Sequence, residues 1–352
     1  MSNWKLIKLD FERSPAHFGE LGIGMEETSE RVYSDTLFSA LMTTWAKMYG
    51  KDSIEMLLRR FLDKSPPARI SSTFIYQQHP EGTTYYLPRP LGFPINYPVG
   101  DDLEFFKTYK KLSFLPLKVW QRWYQQSGFS GADAQELIER TETKDSKGNL
   151  ALAKTFDYKK THYIERHPKI AVDRVTQATN FYHTGYVQFE SETNRSGLYF
   201  LLNLTSEDKR LENELHACLH LLGEEGLGGE RSSGVGRFKV DWQPLPSEWK
   251  PVVNYTSSKH HCLMSLFWDD DKSKLAELIA EDSAYQIRER GGWISSFSGE
   301  QLRRQFIRMF VEGSVLSAEP QGKLADVTPS LFKKHRIYRS GIGLSIPIKV
   351  GG

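Results

Sequence analysis

Six glycines and two arginines crowd the fifteen residues from Gly223 to Arg237. The run reads Gly226-Leu227-Gly228-Gly229-Glu230-Arg231-Ser232-Ser233-Gly234-Val235-Gly236-Arg237-Phe238. Glycine lets a backbone approach a phosphate closely, and successive amides form an anion nest. Guanidinium groups of Arg231 and Arg237 match phosphate geometry, and the hydroxyls of Ser232 and Ser233 can hydrogen-bond an anion or a sugar. The nucleotide-enzyme motifs fail, however. Gly229 to Gly234 has P-loop spacing, but Val235 stands where the lysine belongs. Gly226-x-Gly228 lacks the third glycine of the dinucleotide fingerprint, because Arg231 occupies it. Both motifs also need a strand, a loop and then a helix. Here the order is helix, loop, strand, and a helix C-terminus offers carbonyls rather than amides. Two readings stand on chemistry: a C-cap with a turn, or a loop holding phosphate or an RNA backbone through its own amides, Arg231 and Arg237.

Other reactive groups are scattered. Ser34-Asp35 precedes Leu37, Phe38, Leu41, Met42 and Trp45 at helical spacing, so it reads as a helix N-cap rather than a catalytic pair. His17, His162, His183, His260 and His261 could serve RNA cleavage, which needs a base and a leaving-group acid. No two of them have informative spacing. Cys218 and Cys262 lack any CxxC, which excludes a zinc ribbon or a disulfide scaffold and points to a reducing compartment. No metal site and no cofactor is expected.

Charge adds a direction. The 352 residues hold 46 Lys plus Arg against 44 Asp plus Glu, so a globally basic nucleic-acid coat is excluded. Lys250 to Gly352 carries 15 basic and 11 acidic residues, so the C-terminal third leans positive. Within it, Gln286 to Phe310 sets Arg288, Arg290, Arg303, Arg304 and Arg308 against Glu289 and Glu300. That stretch reads either as a solvated face or as phosphate forks. No apolar run reaches ~18 residues, so no membrane helix is expected. The opening residues show no signal segment, and the chain reads as soluble and cytoplasmic.

The elements that must position these groups follow from periodicity. Ile7, Leu9 and Phe11 alternate in a first strand. A loop with Gly19, Gly22 and Gly24 leads to the helix after Ser34. Tyr85 to Pro98 is punctuated by proline and reads as an extended surface segment. Phe105 to Trp120 interleaves aromatics with lysines, as packing or as a single-strand platform. Surplus apolar residues in Leu87–Pro98 and Leu112–Trp123 suggest a docking face for another subunit. Arg140 to Asn149 reads as a mobile loop. Ile170 to Phe189 reads as a protruding β-hairpin, polar at its tip. Leu198–Leu204 is a buried strand. Leu211, Leu215, Cys218, Leu219 and Leu222 share one helical stripe that ends in the glycine cluster. Phe238, Val240 and Trp242 then alternate as a strand. Prolines between Gln243 and Pro251 mark a boundary, beyond which strand and helix patterns restart. The fold class is α+β, with a first domain over residues 1–243 and a smaller one over 252–352.

The glycine run, placed after a helix and before a strand, resembles the signature loop of the RAMP superfamily of CRISPR–Cas proteins. Within it the chain is similar to the fourth subunits of type III-A (Csm) effector complexes. Trp4–Phe11 with His17-Phe18-Gly19 and Ser34–Leu41 resembles the family's first strand, loop and helix. Asp173-Arg174-Val175-Thr176 resembles its thumb hairpin. Arg290-Gly291-Gly292-Trp293, Phe310–Val315 and Tyr338-Arg339-Ser340-Gly341 resemble its second half.

The resemblance implies two ferredoxin-like βαββαβ domains with a thumb hairpin at about residues 165–190. It implies a non-catalytic subunit that holds the 5′ handle of a crRNA and docks the large polymerase/nuclease subunit and a backbone RAMP subunit. The thumb would displace a nucleotide of the duplex between guide and target RNA. RNA contacts are then expected from His17, Phe18 and Gly19, with a ring stacking on a base. Asp173, Arg174 and Thr176 would contact RNA at the thumb. Gly228, Gly229, Arg231, Ser232, Ser233, Gly234, Gly236 and Arg237 would do so in the loop. Arg288, Arg290 and Arg339 either bind the handle or pair structurally. The other reading is a metal-independent RAMP endoribonuclease that processes crRNA precursors.

Overall fold

A computed structural model describes residues 3–19, 24–100, 103–294 and 302–351. Gly22 and Glu300 lie outside these. The first half runs β1 (Asn3–Asp10), α1 (Ser34–Leu62), β2 (Ala68–Ile70), β3 (Phe74–His79), β4 (Gly82–Pro88), α2 (Phe106–Lys111), β5 (Phe114–Pro116), α3 (Leu117–Gln125), α4 (Gly131–Glu142) and α5 (Asn149–Leu152). Next come β6 (His162–Val172), β7 (Thr179–Phe189), β8 (Ser196–Leu204), α6 (Lys209–Glu225), β9 (Lys239–Pro244) and α7 (Lys250–Val253). The remainder holds β10 (His261–Leu263), α8 (Lys272–Leu278), β11 (Ile287–Arg290), β12 (Ile307–Phe310), β13 (Val315–Leu316), β14 (Leu324–Asp326), β15 (Tyr338–Ser340) and β16 (Ser345–Pro347).

The central sheet has the order β5-β4-β3-β8-β1-β9, with β2 also paired to β8. Its kernel β3-β8-β1-β9 is built by β1, α1, β3, β8, α6 and β9 in chain order, with antiparallel pairing at each contact. Lys8 pairs with Tyr199 and Ile7 with Phe200, which fixes the two faces. Phe200 and Leu202 face α1 and α6, where Phe38, Leu41, Met42, Leu215 and Leu219 close over them. This is the face the alternation of Ile7 and Leu9 anticipates. The opposite face is also covered. Trp249 lies 5.8 Å from Tyr85 and 5.9 Å from Tyr199, ring centre to ring centre. Lys8 lies under the same layer, 5.0 Å from the Tyr76 ring, and burial lowers its pKa.

Several expectations are corrected. Tyr85 to Pro88 is not a surface segment: Tyr86 and Leu87 are fully buried in β4, and Pro88 sits opposite Phe114 at the strand end, where a proline costs little. The apolar surplus of Leu112–Trp123 fills the chain's own core, because Leu112, Leu115, Trp120 and Trp123 are all buried. No docking face is left over there. Arg140–Asn149 is a loop over residues 143–148, as expected, set between the end of α4 and the start of α5, and Glu136 of α4 caps α5 by accepting from the amides of Leu150 and Ala151. The stretch between Gln243 and Pro251 is packed rather than free, without moving the boundary it marks: Trp249 is fully buried, and one continuous core joins Leu198–Leu204 to Cys262, Leu344 and Ile346. After β10 the described residues hold one helix, α8, and three small sheets. The two-helix pattern expected of a second domain is not reproduced among them.

Candidate functional site

Glycine is required in the loop after α6 because the chain folds back on itself. Gly226 caps α6, its amide donating to Leu222 O at 2.8 Å. Gly228 has φ +103°, and a Cβ there would lie 2.3 Å from His17 O. Gly236 has φ +82°, and a Cβ would lie 2.3 Å from Leu227 O. The amides point inward: Gly229 N donates to His17 O at 2.8 Å, Leu227 N to Gly236 O at 2.9 Å, and Gly236 N to Pro15 O at 2.8 Å. Ser233 N and Gly234 N close a short turn on Glu230 and Arg231. The anion nest is therefore largely spent on the protein itself, which corrects the expectation that loop amides hold phosphate. What the loop presents outward is Arg231, Ser232, Ser233, Gly234 and Arg237, all exposed.

The two arginines do not work together. Arg231 lines a cleft of about 900 Å³, whereas Arg237 lines a separate depression of about 560 Å³ beside Arg195 and Lys239. The larger cleft lies between the two halves of the chain. One wall is Gly19, the first turns of α1, and Gly226–Gly229 with Arg231; the other is Arg290–Trp293, Arg304 and Arg339.

His17 and Phe18 reach this cleft but are 7% and 5% exposed. Phe18 packs on Phe11 in the core, and His17 Nδ1 lies 2.8 Å from Gly185 O. Neither offers an open ring, which corrects the stacking role expected of them. His17 braces the glycine loop against the hairpin, its carbonyl accepting from Gly229 N and its ring meeting Gly185 O.

Asp35 is also corrected. The N-cap position of α1 is Tyr33, and Asp35 lies two residues on, in the first turn, 1% exposed. Its Oδ2 accepts from Arg290 Nε at 2.9 Å, its Oδ1 accepts from Arg290 Nη2 at 2.9 Å, and Arg339 Nη1 also donates to it. Burial raises its pKa, but the two guanidinium groups outweigh that and hold the carboxyl below the usual carboxylate range. Arg290 and Arg339 are thus paired across the chain with Asp35. Arg288 donates to the Tyr33 hydroxyl, and the Tyr33 ring is flanked by Arg31, Arg288 and Arg290 at 4.6, 4.9 and 4.8 Å. Arg31 lies in a second buried pair, 3.3 Å from Glu312. Burial disfavours its charge, yet Glu312 outweighs this and its pKa is raised.

The hairpin of β6 and β7 pairs in register from His162–Phe189 to Val172–Thr179. Residues 170–181 are exposed throughout. At the tip, Asp173 Oδ1 accepts from Val175 N at 2.9 Å, Thr176 N at 2.7 Å and Thr176 Oγ1 at 2.9 Å. These bonds, with the Thr176 amide first, lower the Asp173 pKa. Asp173 and Thr176 therefore shape the turn, and Arg174 is left without an ion-pair partner among the described residues. The tip is less polar than expected: Val175 is 91% exposed, and Ile170, Val172 and Phe181 are exposed beside it.

Sequence reasoning missed Arg31, Lys47 and Trp293 as site residues, and it left Arg304 between a solvated face and a phosphate fork; all four line the cleft. Arg304 and Trp293 lay within stretches singled out for charge or resemblance; Arg31 carried no local signal. No group of three or more potential metal ligands occurs among the described residues. Among the five histidines, His162 Nδ1 meets Thr161 Oγ1 at 3.0 Å, His260 Nε2 meets Asp282 at 2.5 Å, and His261 Nδ1 meets Ser345 Oγ at 3.0 Å. No helix among the described residues is long and apolar enough to cross a membrane.

A strand-helix-strand kernel, a glycine loop after its last helix and a basic cleft beside that loop define a class. Residues 14–239 match the RAMP superfamily, and the chain belongs to it. Residues 256–348 match the CRISPR Csm4 C-terminal domain. Along the chain it is similar to proteins named CRISPR system Cms protein Csm4. The one from Streptococcus thermophilus is 28% identical, over 94% of each chain. The one from Methanocaldococcus jannaschii is 25% identical, over 90% of this chain and 86% of that one. In fold it resembles a chain of a Csm3–Csm4 subcomplex of a type III-A CRISPR–Cas interference complex, with a TM-score of 0.61 and 20% identity over 97% of this chain and 99% of that one. A chain of a Csm1–Csm4 cassette in complex with pppApApA gives 0.52, with 15% identity over 99% of each.

Proposed function

We propose that this chain is the non-catalytic crRNA-binding subunit of a type III-A CRISPR effector complex. The observation that carries this reading is the arginine-lined cleft between the two halves, in a chain similar to Csm4 proteins along its length. The crRNA 5′ handle lies in that cleft, as single-stranded RNA held by cations and stacking rather than by base-edge readout. Arg231 is its contact from the glycine loop. Ser232, Ser233 and Gly234 sit at the rim. The kernel β1-α1-β3-β8-α6-β9 is read as a ferredoxin-like unit. The β6–β7 hairpin is its thumb, and Val175 and Phe181 supply the apolar wedge that displaces a nucleotide of the guide–target duplex, with Arg174 on the adjacent backbone. Partners are a backbone RAMP subunit and a large polymerase/nuclease subunit, in keeping with relatives seen with Csm3 and Csm1.

The test is crRNA retention by single variants. Arg231→Ala is expected to weaken binding and to reduce the salt slope by about 0.7, the value for one lost phosphate on a single strand. Arg237→Ala, in its separate depression, is expected to leave both nearly unchanged. Loss from Arg237→Ala without loss from Arg231→Ala would overturn the assignment of the cleft.

A further inference from the structure

The C-terminal wall of the cleft carries one large aromatic that packing does not use. Trp293 is 54% exposed and lines the cleft. It is nevertheless held in place. An isolated bridge pairs Trp293 with Arg303, and the Arg303 guanidinium lies 4.9 Å from the indole centre. Arg304 N donates to Gly292 O at 2.8 Å, which ties the same two segments together. Arg303 packs on the indole, and Arg304, the next residue, lines the same cleft with Trp293 and Arg339. There the charge is uneven. Asp35 is engaged by Arg339, and Arg304 has no ion-pair partner among the described residues. Its Nε is buried without a hydrogen bond. Burial and the neighbouring Arg339 both lower its pKa, so an anion arriving there would be favoured.

We propose that Trp293 and Arg304 form a single-nucleotide subsite in the C-terminal wall: one unpaired base stacks on the indole, and an adjoining phosphate is held by the Arg304 guanidinium. This rests on the reading of the cleft as an RNA site. It assigns Trp293 the stacking role that His17 and Phe18, being buried, do not fill. Arg303 acts as a positioning residue behind the indole.

The experiment uses the full chain and a short unstructured fluorescein-labelled RNA, titrated at several salt concentrations. Trp293→Ala is expected to weaken binding about 5- to 150-fold with an unchanged salt slope, because stacking is lost and no charge is. Trp293→Phe should keep most of the affinity. Arg304→Ala should reduce the salt slope by about 0.7. Thermal unfolding of each variant at the wild-type temperature excludes a folding defect. Wild-type affinity for Trp293→Ala and an unchanged slope for Arg304→Ala, with Arg231→Ala still weakened, would overturn this subsite and leave the cleft reading standing. Equal loss from Trp293→Ala and Trp293→Phe would overturn stacking. A wild-type chain that binds no RNA at any salt would overturn both.

Discussion

Replacing Asp35 by asparagine removes one negative charge and almost no volume. It leaves the guanidinium groups of Arg290 and Arg339 in a buried site from which their shared carboxylate has gone. Asp35 and Arg339 are 1% and 5% exposed, so water cannot replace the lost partner. Breaking a buried pair from one side costs about 3–5 kcal/mol. A chain of 352 residues has an unfolding entropy near 0.7 kcal/mol/K at about 2.1 cal/mol/K per residue, so Tm should fall by roughly 4–7 °C. Differential scanning calorimetry measures this directly. A pH series adds a signature that a mere packing defect lacks. The Asp35 carboxyl is held below its ordinary value, so its stabilisation is complete above about pH 3.9, the unfolded value, and is lost as pH falls through the folded one. The gap between wild type and Asp35→Asn should therefore be constant near neutrality and should close in acid. A Tm within about 1 °C of wild type at pH 7 would refute the buried-pair reasoning, and so would a gap that widens in acid.

Three further outcomes are expected. Gly228→Ala places a methyl group 2.3 Å from His17 O at φ +103°, and should cost at least about 1–3 kcal/mol in urea unfolding; a wild-type midpoint would contradict the packing given for the loop. Replacing residues 170–181 by Asn-Gly should shift stability by no more than roughly 0.5 kcal/mol, because that arm is exposed on both strands. The same trimmed chain should retain crRNA but lose the unstacked nucleotide in a duplex carrying 2-aminopurine, and unchanged fluorescence would count against the wedge. Incubation of repeat RNA with purified protein in EDTA should leave it intact, and 2′,3′-cyclic phosphate ends would establish the endoribonuclease reading instead.

Legibility tracked the range of the interactions. β1, β8, α6 and the hairpin were readable because alternation and helical spacing are set within a dozen residues. The glycine run was readable as a loop, but its purpose was not: the carbonyls that fill the space beside Gly228 belong to His17, over two hundred residues earlier. Asp35 looked like a cap because a cap needs only its neighbours, whereas its partners Arg290 and Arg339 lie 255 and 304 positions away. Of the C-terminal strands, β10, β12 and β16 fall where strand patterns restart in the sequence, whereas β11, β13, β14 and β15, two to four residues long, are too short for a period to emerge.

Those long-range pairs also bear on how the cleft works. The two halves are joined by Asp35 with Arg290 and Arg339, by Arg31 with Glu312, by Ser34 Oγ accepting from Leu266 N at 3.0 Å, and by Ser72 N donating to Met264 O at 2.9 Å. Opening the cleft as a hinge would strip several of these buried contacts at once, each worth more than an exposed equivalent. Part of the positive lean of the C-terminal third, at Arg290 and Arg339, is spent on tying the halves together. Lys259, Lys272, Lys274, Arg308 and Lys333 lie exposed elsewhere, whereas Arg304 stands in a cleft whose walls are already fixed, so on the proposed reading an RNA strand entering it would meet a preformed site and pay mainly its own ordering cost.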